Sequence, residues 1–176
     1  MTGVLVRWGV LEDAVAITDI HVLGWKIGYR GMLPQATLDG IEPVQRLPRW
    51  TGTLERADWP RRGTLVITGD DGGLLGFADL RPTADGDGDP DRTGEVASFY
   101  VLPAAWRQGV GTRLMEGSVD RLRSAGFEDA TLWVHDANAR AISFYERAGW
   151  TPDGATNLDT VRGHQITEAR YRRALG

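Results

Sequence analysis

The stretch that decides the fold is GEVASFYVLPAAWRQGVGTRLM, residues 94–115. Its first half predicts a β-strand, because β-branched and aromatic residues recur along it until Pro103. Its second half predicts a helix that begins at Gly109 and Gly111, with apolar residues at helical spacing after them. Such a helix start can bind an anion, because its first amides are unpaired and the helix dipole adds roughly half a positive charge. We interpret this turn as a pyrophosphate site, where glycine lets a phosphate approach the backbone.

Three other interpretations compete for these two glycines. The plainest is that they only start a helix. A dinucleotide-binding fingerprint needs a third glycine, where this chain has Leu114, and an acidic residue roughly 20 positions later in an early βαβ unit. A phosphate-binding P-loop ends in GKS or GKT, and the turn at Gly109 does not.

Composition predicts one globular domain over residues 1–176, with 41% hydrophobic and 25% charged residues. The chain has no cysteine, which excludes disulfides and thiolate metal sites, and its three histidines are scattered, so we expect no metal. The sequence shows neither an apolar run of membrane-spanning length nor a signal-peptide pattern, which predicts a cytoplasmic location. A net charge of −4 argues against nucleic-acid binding and weakly favours a cationic acceptor such as an amine.

The central stretch resembles the acetyl-CoA-binding motif of the GNAT superfamily of N-acetyltransferases, whose pattern is Q/R-x-x-G-x-G/A after a strand. Gly109 and Gly111 match this pattern, whereas Trp106 stands where the family usually has Gln or Arg. The resemblance also implies that a backbone amide of the preceding strand stabilises the oxyanion. The cofactor-binding residues that the resemblance implies in this stretch are Phe99, Tyr100, Val101, Arg107, Gln108, Gly109, Val110, Gly111 and Thr112.

A second motif matches the same family: N-x-x-A-x-x-F-Y-E-x-x-G-W, from Asn138 to Trp150. The resemblance implies that Tyr145 lies near the sulfur of CoA and acts as general acid, and that Asn138 contacts the pantetheine arm. A phenol has a pKa near 10 and can donate a proton at neutral pH. Taken without the resemblance, a tyrosine in such a helix more often packs in the core, and an asparagine in that position is an N-cap. Phe144 and Tyr145 are adjacent, so both cannot centre the buried stripe of the helix.

Glu95 is the candidate general base, because histone-acetyltransferase members of the superfamily carry their catalytic glutamate at the same offset before the glycines. Strand alternation predicts that Glu95, Ala97, Phe99 and Val101 share one face. The alternative is a charged residue at a strand end that faces solvent.

Trp25 and Tyr29 lie four residues apart on a predicted helix and therefore share a face, where they either pack on the sheet or form an acceptor wall. Pro43 and Pro48 predict that the next helical region splits into two short pieces. The aspartate-rich segment 82–94 is predicted to be a mobile, solvated loop rather than a calcium site, because strands flank it.

The predicted fold is α/β, with a mixed, mostly antiparallel sheet of six to seven strands, about four helices, and a sheet that parts beside the central strand to admit the cofactor. The resemblance implies acetyl-CoA-dependent acetylation of a primary amine by direct attack, without a side-chain nucleophile or a metal. The alternative is a non-catalytic module that binds acyl-CoA or another protein. The expected acceptor is a small-molecule or peptide amine, with no nucleic-acid or membrane partner. The resemblance to the family also suggests that the protein forms a homodimer. The identity of the acceptor and the acyl-chain preference stay open.

Overall fold

The computed structural model describes residues 3–176 and contains seven strands and five helices in that range. Met1 and Thr2, the first residues of the predicted domain, lie outside the described residues. The strands are β1 (Leu5–Trp8), β2 (Gly63–Thr68), β3 (Leu74–Pro82), β4 (Thr93–Val101), β5 (Asp129–His135), β6 (Thr151–Val161) and β7 (His164–Ala174). The helices are α1 (Ala14–Gly28), α2 (Gln35–Asp39), α3 (Pro43–Glu55), α4 (Val110–Ser124) and α5 (Ala139–Arg147). Among the described helices, none has the length and apolar character that a bilayer span requires.

The sheet has the strand order β1-β2-β3-β4-β5-β7-β6, and every neighbouring pair is antiparallel except β4 with β5. This confirms the predicted mixed, mostly antiparallel sheet. The parallel pair is short, because only Thr93–Glu95 and Asp129–Thr131 lie in register. Beyond Glu95 the two strands part, which confirms that the sheet opens beside its central strand.

Two apolar clusters cover the two faces of the sheet. On one face α4 and α5 pack against the strands, with Leu114 and Leu122 of α4 fully buried. On the other face α1 and α3 pack against β2 and β3 through Ile17, Trp50 and Phe77. Burial of each such side chain contributes about 1.5–3 kcal/mol, so the helices hold the parted strands in place from both sides.

Strand β4 carries a β-bulge at Ala97, which has no partner in β3. Val96 on one side of the bulge and Phe99 and Val101 on the other all pack toward α4 and α5. Glu95 therefore points to the opposite face, toward α1 and α3. The prediction that Glu95, Ala97, Phe99 and Val101 share one face is wrong, because the extra residue shifts the alternation by one position.

The two prolines of the second helical region have different effects. Pro43 is the first residue of α3, where the missing N–H would have no helical partner anyway. Pro48 lies inside the same helix, so the prediction that it interrupts the helix is wrong. It removes one hydrogen bond, to the carbonyl of Val44, a residue that is 74% exposed and therefore accessible to water.

The aspartate-rich segment 82–94 is held on the sheet by Arg170 of β7. Arg170 donates hydrogen bonds to Asp85 at 3.1 Å, to Asp87 at 2.6 and 2.8 Å, and to Asp153 at 2.7 Å. The Asp85 side chain is only 14% exposed. The prediction of a solvated loop is therefore wrong for this part of the segment, because a buried guanidinium in a distant strand binds its carboxylates.

Candidate active site

A cleft of about 1,210 Å³ opens where β4 and β5 part, and it is lined from both faces of the sheet. The predicted site residues that line it are Trp25, Tyr29, Glu95, Phe99, Tyr100, Val101, Arg107, Gly109, Gly111, Thr112, Asn138 and Tyr145. Two predicted residues do not line it with their side chains. Gln108 folds back to donate to the carbonyl of Ala104 at 2.7 Å, and Val110 is buried in the core.

The start of α4 presents unpaired amides to this cleft. Gly109 is the N-cap, has φ +80° and makes no side-chain capping bond. The first backbone hydrogen bond of the helix runs from Arg113 N to Gly109 O at 3.0 Å. Within residues 3–176 the amides of Val110, Gly111 and Thr112 have no hydrogen-bond partner. Three donors therefore point toward the cleft at the positive end of the helix dipole.

The backbone at this turn fits a diphosphate group. The left-handed φ of Gly109 requires glycine, whereas a Cβ at Gly111 would come no closer than 3.5 Å to the Phe144 ring. No clash within the protein therefore explains glycine at 111, and the space in front of it belongs to the cleft. Arg107 also has a left-handed φ of 60°, which is uncommon for a residue with a side chain. Alternating left- and right-handed residues form a concave nest of amides that binds anions.

The edge of β4 that faces the cleft offers further backbone donors. Leu102 N donates to Leu75 O of the β3 side at 2.8 Å, and amides of an antiparallel strand alternate in direction. The amides of Val101 and Phe99 therefore point away from β3, toward the gap. Trp106 Nε1 donates to Val101 O from that side at 2.8 Å, which agrees with this direction.

Tyr145 is a buried residue that also lines the cleft, and its role as general acid stays a prediction. It is 8% exposed, packs in the core beside Phe99 and Phe144, and lines the cleft. Burial, with a smaller effect of Tyr100, raises the pKa of the Tyr145 phenol above its ordinary value, so the phenol is protonated at neutral pH. No hydrogen bond from another described residue contributes to this shift, so the hydroxyl is available to a ligand.

Glu95 is buried and ion-paired rather than exposed to solvent. It is 5% exposed, and its two carboxylate oxygens accept hydrogen bonds from Arg81 at 3.0 and 3.1 Å. The amide of Ala84 adds a third bond at 3.2 Å. The carboxylate lies on the wall of the cleft, and three of its roughly four acceptor positions are occupied.

Asn138 and Trp106, which also line the cleft, are both fixed by local contacts. Asn138 Oδ1 accepts from the amide of Ala141 at 3.1 Å, so the residue is an N-cap that also lines the cleft. The Arg140 guanidinium lies 3.7 Å from the centre of the Trp106 ring, a cation–π contact that places a positive charge where the motif departs from the family. Arg140 was not predicted from the sequence.

The opposite end of the cleft is aromatic. Trp25 and Tyr29 stack with ring centres 4.6 Å apart, and Trp25 Nε1 donates to the hydroxyl of Tyr100 at 2.7 Å. Burial raises the pKa of Tyr100 to about 12. Trp25 and Tyr29 both pack against the core and both line the cleft, so packing and an acceptor-wall role are compatible.

Sequence reasoning missed several polar residues that line this end: His21, Arg49, Arg81, His135, Asp159 and Glu168. His21 Nδ1 accepts a hydrogen bond from Trp50 Nε1 at 2.9 Å. Burial, with the nearby Arg49, lowers the pKa of His21 to about 3, so the ring is neutral. These residues belong to α1, α3 and strands far apart in the chain, so no local sequence motif identifies them as part of one site. Within residues 3–176 no group of three potential ligands is arranged to hold a metal ion.

Comparison with known proteins agrees with this geometry. Residues 30–150 match the family model described as "Acetyltransferase (GNAT) family". The uncharacterized N-acetyltransferase YuaI of Bacillus subtilis is 28% identical over 81% of this chain and 78% of its own length. Mycothiol acetyltransferase of Sanguibacter keddieii is 37% identical, over 53% of this chain and only 30% of its own length.

Among solved structures, the PaiA N-acetyltransferase of Thermoplasma acidophilum, in complex with coenzyme A, superposes with a TM-score of 0.79. It is 17% identical, and the superposition covers 98% of this chain and 99% of that one, which shows the shared fold. The family match spans both motifs and the central strand, so the resemblance found in the sequence is confirmed. The chain belongs to the acetyltransferase (GNAT) family.

Proposed function

We propose that this protein transfers an acetyl group from acetyl-CoA to a primary amine by direct attack of the amine on the thioester. One observation carries this proposal: the unpaired amides at the start of α4 open onto the same cleft that leads past the edge of β4 to the Tyr145 hydroxyl. The amides at the start of α4 would hold the diphosphate of CoA, and the Tyr145 hydroxyl at the other end of the cleft would donate a proton to its sulfur.

The chain supplies mainly backbone groups to hold the donor. The amides of Val110, Gly111 and Thr112 bind the diphosphate, and Asn138 lies beside the path of the pantetheine arm. When bound, acetyl-CoA supplies an acetyl group that is already activated as a thioester. Positioning alone accounts for a large part of the rate in such a reaction.

Two groups act on the charges that develop during transfer. The amides of Phe99 and Val101, which face the gap, stabilise negative charge on the acyl oxygen. Tyr145 donates its proton to the leaving sulfur. Glu95 was predicted as the base and stays a prediction; it would have to act while Arg81 and the Ala84 amide occupy its oxygens.

Release of free thiol from acetyl-CoA tests the proposal. We would incubate the protein with acetyl-CoA and, separately, spermidine, L-phenylalanine, kanamycin and a tetra-alanine peptide as probe amines. Amine-dependent thiol release supports acetyl transfer. Calorimetric binding of CoA without release on any probe amine favours the second candidate, a non-catalytic acyl-CoA-binding module, and absence of CoA binding contradicts both.

The broader predictions are proposed on the same basis. We propose that residues 1–176 act as one acetyltransferase domain in the cytoplasm, with an amine as acceptor and with neither nucleic acid nor membrane as partner. A homodimer is proposed from family habit alone. Size-exclusion chromatography with light scattering measures the mass of the particle, and a mass of one chain contradicts the dimer.

A further inference from the structure

A second carboxylate, on Glu168 of β7, lies at the acceptor end of the cleft. Its cross-strand neighbours are His135 of β5 and Asn157 of β6, and both of them line the cleft with it. Asp159 lies two residues beyond Asn157 on the same face of the hairpin and also lines the cleft. These side chains come from three adjacent strands and form one polar surface. The His135 ring contacts Tyr29 of the aromatic stack edge-on, with ring centres 5.7 Å apart.

The surroundings of Glu168 raise its basicity. Burial and then the negative charge of Asp159 raise the pKa of the Glu168 carboxyl, and the amide of Asn157 only partly offsets this. A general base works best when its pKa lies near the operating pH. The titratable and polar groups that neighbour Glu168 in the sheet or interact with it through their charge are Asp159, Asn157, His135, Tyr29 and Tyr100.

Glu168 and the proposed acid share the same space. Tyr29, Tyr145 and Glu168 all line the cleft. Burial raises the pKa of Tyr29, and the charges of Tyr100, Glu168 and Tyr145 add to this effect. The Tyr145 side chain is more than nine-tenths buried, lines the same cleft and has no hydrogen-bond partner among the described residues. A hydroxyl left without a partner in a cavity that also contains a carboxylate is suited to a ligand lying between them.

Glu168 also differs from Glu95 in what already binds it. The carboxylate of Glu95 accepts three hydrogen bonds, two of them from a guanidinium. No ion pair to Glu168 occurs within residues 3–176. Compared with Glu95, Glu168 therefore has more capacity to accept a proton.

We propose that Glu168 is the general base, which takes the proton from the attacking ammonium group while Asp159 attracts that group into the cleft. The proposal rests on the proposed function. Glu168 takes one proton from the ammonium group and later releases it to solvent. The nitrogen then forms its bond to the acetyl carbon, the bond from that carbon to sulfur breaks as the sulfur takes the Tyr145 proton, and the second proton of the nitrogen passes to the Tyr145 oxygen.

The kinetic test compares Glu168→Gln with the wild type as a function of pH, using whichever of the four probe amines releases thiol fastest. We expect kcat/KM to fall about 100-fold near pH 7. Below the pKa of the amine the loss should shrink roughly tenfold per pH unit, because the fraction of free amine, which needs no base, rises tenfold; that pKa is about 8 for a peptide α-amine and about 10 for an alkyl amine. A loss that is equal at every pH, or no loss, overturns the proposal. Glu95→Gln is the rival variant: a pH-dependent loss there, with none in Glu168→Gln, assigns the base to Glu95 instead.

A second readout does not depend on activity. In protein labelled with ¹³C at glutamate carboxyls, the signal that disappears in Glu168→Gln identifies Glu168. It should titrate at higher pH than the other glutamates, and Asp159→Asn should lower its midpoint, because that variant removes a neighbouring negative charge. An ordinary midpoint for Glu168 that Asp159→Asn does not change overturns the proposal. Absence of thiol release with every amine, beside a raised midpoint, contradicts the proposed function and leaves the electrostatic basis of this proposal supported.

Discussion

Trp25 Nε1 donates a 2.7 Å hydrogen bond to the hydroxyl of Tyr100, and this bond joins helix α1 to the central strand β4. The same Trp25 stacks on Tyr29, so one side chain contacts both the aromatic wall and the strand whose edge faces the cofactor end. An indole–phenol bond and a stacking contact, rather than a loop, therefore fix the aromatic pair Trp25 and Tyr29, the proposed acceptor wall, relative to strand β4.

Trp25→Phe is expected to remove this bond while keeping an aromatic ring in the stack. The stability of the fold should fall by about 1 kcal/mol, because the Tyr100 hydroxyl loses its partner. The KM for the acceptor should rise, whereas the Kd for CoA should not change. Trp59→Phe is the matched control, because Trp59 is 49% exposed, stacks on Trp8 and lies outside the cleft. A raised Kd for CoA in Trp25→Phe would contradict the separation of the two ends.

Gly111→Leu is expected to weaken CoA binding by at least about tenfold, because the new side chain occupies the space that the diphosphate needs. The fold should tolerate it, since a Cβ at this position meets only ordinary contacts. Calorimetry with CoA and thermal unfolding without CoA make the measurement. Glu116→Leu adds the same side chain at an exposed position of the same helix and should bind CoA normally. Unchanged affinity in Gly111→Leu would refute the diphosphate site.

Tyr145→Phe is expected to lower kcat about 100-fold with little change in the Kd for CoA, because it removes a proton donor and leaves the ring packing intact. The pH dependence of kcat is the more specific readout. Tyr171→Phe is the control, since Tyr171 is also a buried tyrosine but does not line the cleft. Equal activity of Tyr145→Phe and the wild type at every pH would exclude Tyr145 as the acid.

His21→Asn is expected to alter the pH dependence of stability. Burial lowers the pKa of His21 to about 3, so the unfolded state binds a proton more readily than the folded state below about pH 6.5. The wild type should lose up to about 1.4 kcal/mol per pH unit from this residue as the pH falls. Asparagine keeps an oxygen that accepts from Trp50 Nε1, but its side chain does not titrate. The amount by which His21→Asn lowers the free energy of unfolding should therefore shrink between pH 7 and pH 5, as measured by urea unfolding. Parallel stability curves for the two proteins would contradict this.

Arg170→Met is expected to lower Tm at neutral pH on the order of 5 °C, because it leaves the carboxylates around Asp85 without their buried partner. The hydrogen bond from Arg170 lowers the pKa of Asp87, so this stabilisation is present above about pH 4 and lost as the pH falls further. The difference in Tm should therefore narrow in acid. Arg172→Met, in the same strand but 32% exposed, is the control and should have a smaller effect. A difference that widens in acid would contradict the ion-pair explanation.

The parts of the fold that depend on neighbouring residues could be predicted from the sequence. The central strand and the helix after Gly109 follow from local periodicity and a glycine turn. Asn138 caps α5 and Gly126 has a left-handed φ after α4, as their residue types indicate. Such features depend on a few consecutive residues, so the pattern alone was sufficient.

The parts that the sequence did not predict depend on pairing between distant segments. Nothing near Ala97 indicates that β3 lacks a partner for it, yet this single unpaired residue reverses the face on which Glu95 lies. Arg170 and Asp85 are far apart in sequence, and Glu168 comes to the cleft through the register of β7 with β5. Strand register and long-range ion pairs are decided by the whole sheet, not by a motif.

The gap between β4 and β5 has a kinetic consequence. Because it connects the two faces of the sheet, two substrates can enter from opposite directions and be present together, without either having to leave before the other arrives. Steady-state rates measured at several fixed concentrations of one substrate should then give intersecting double-reciprocal lines. If β4 and β5 were hydrogen-bonded along their whole length, this passage would be closed. The protein would then need a residue to carry the acyl group from one side of the sheet to the other.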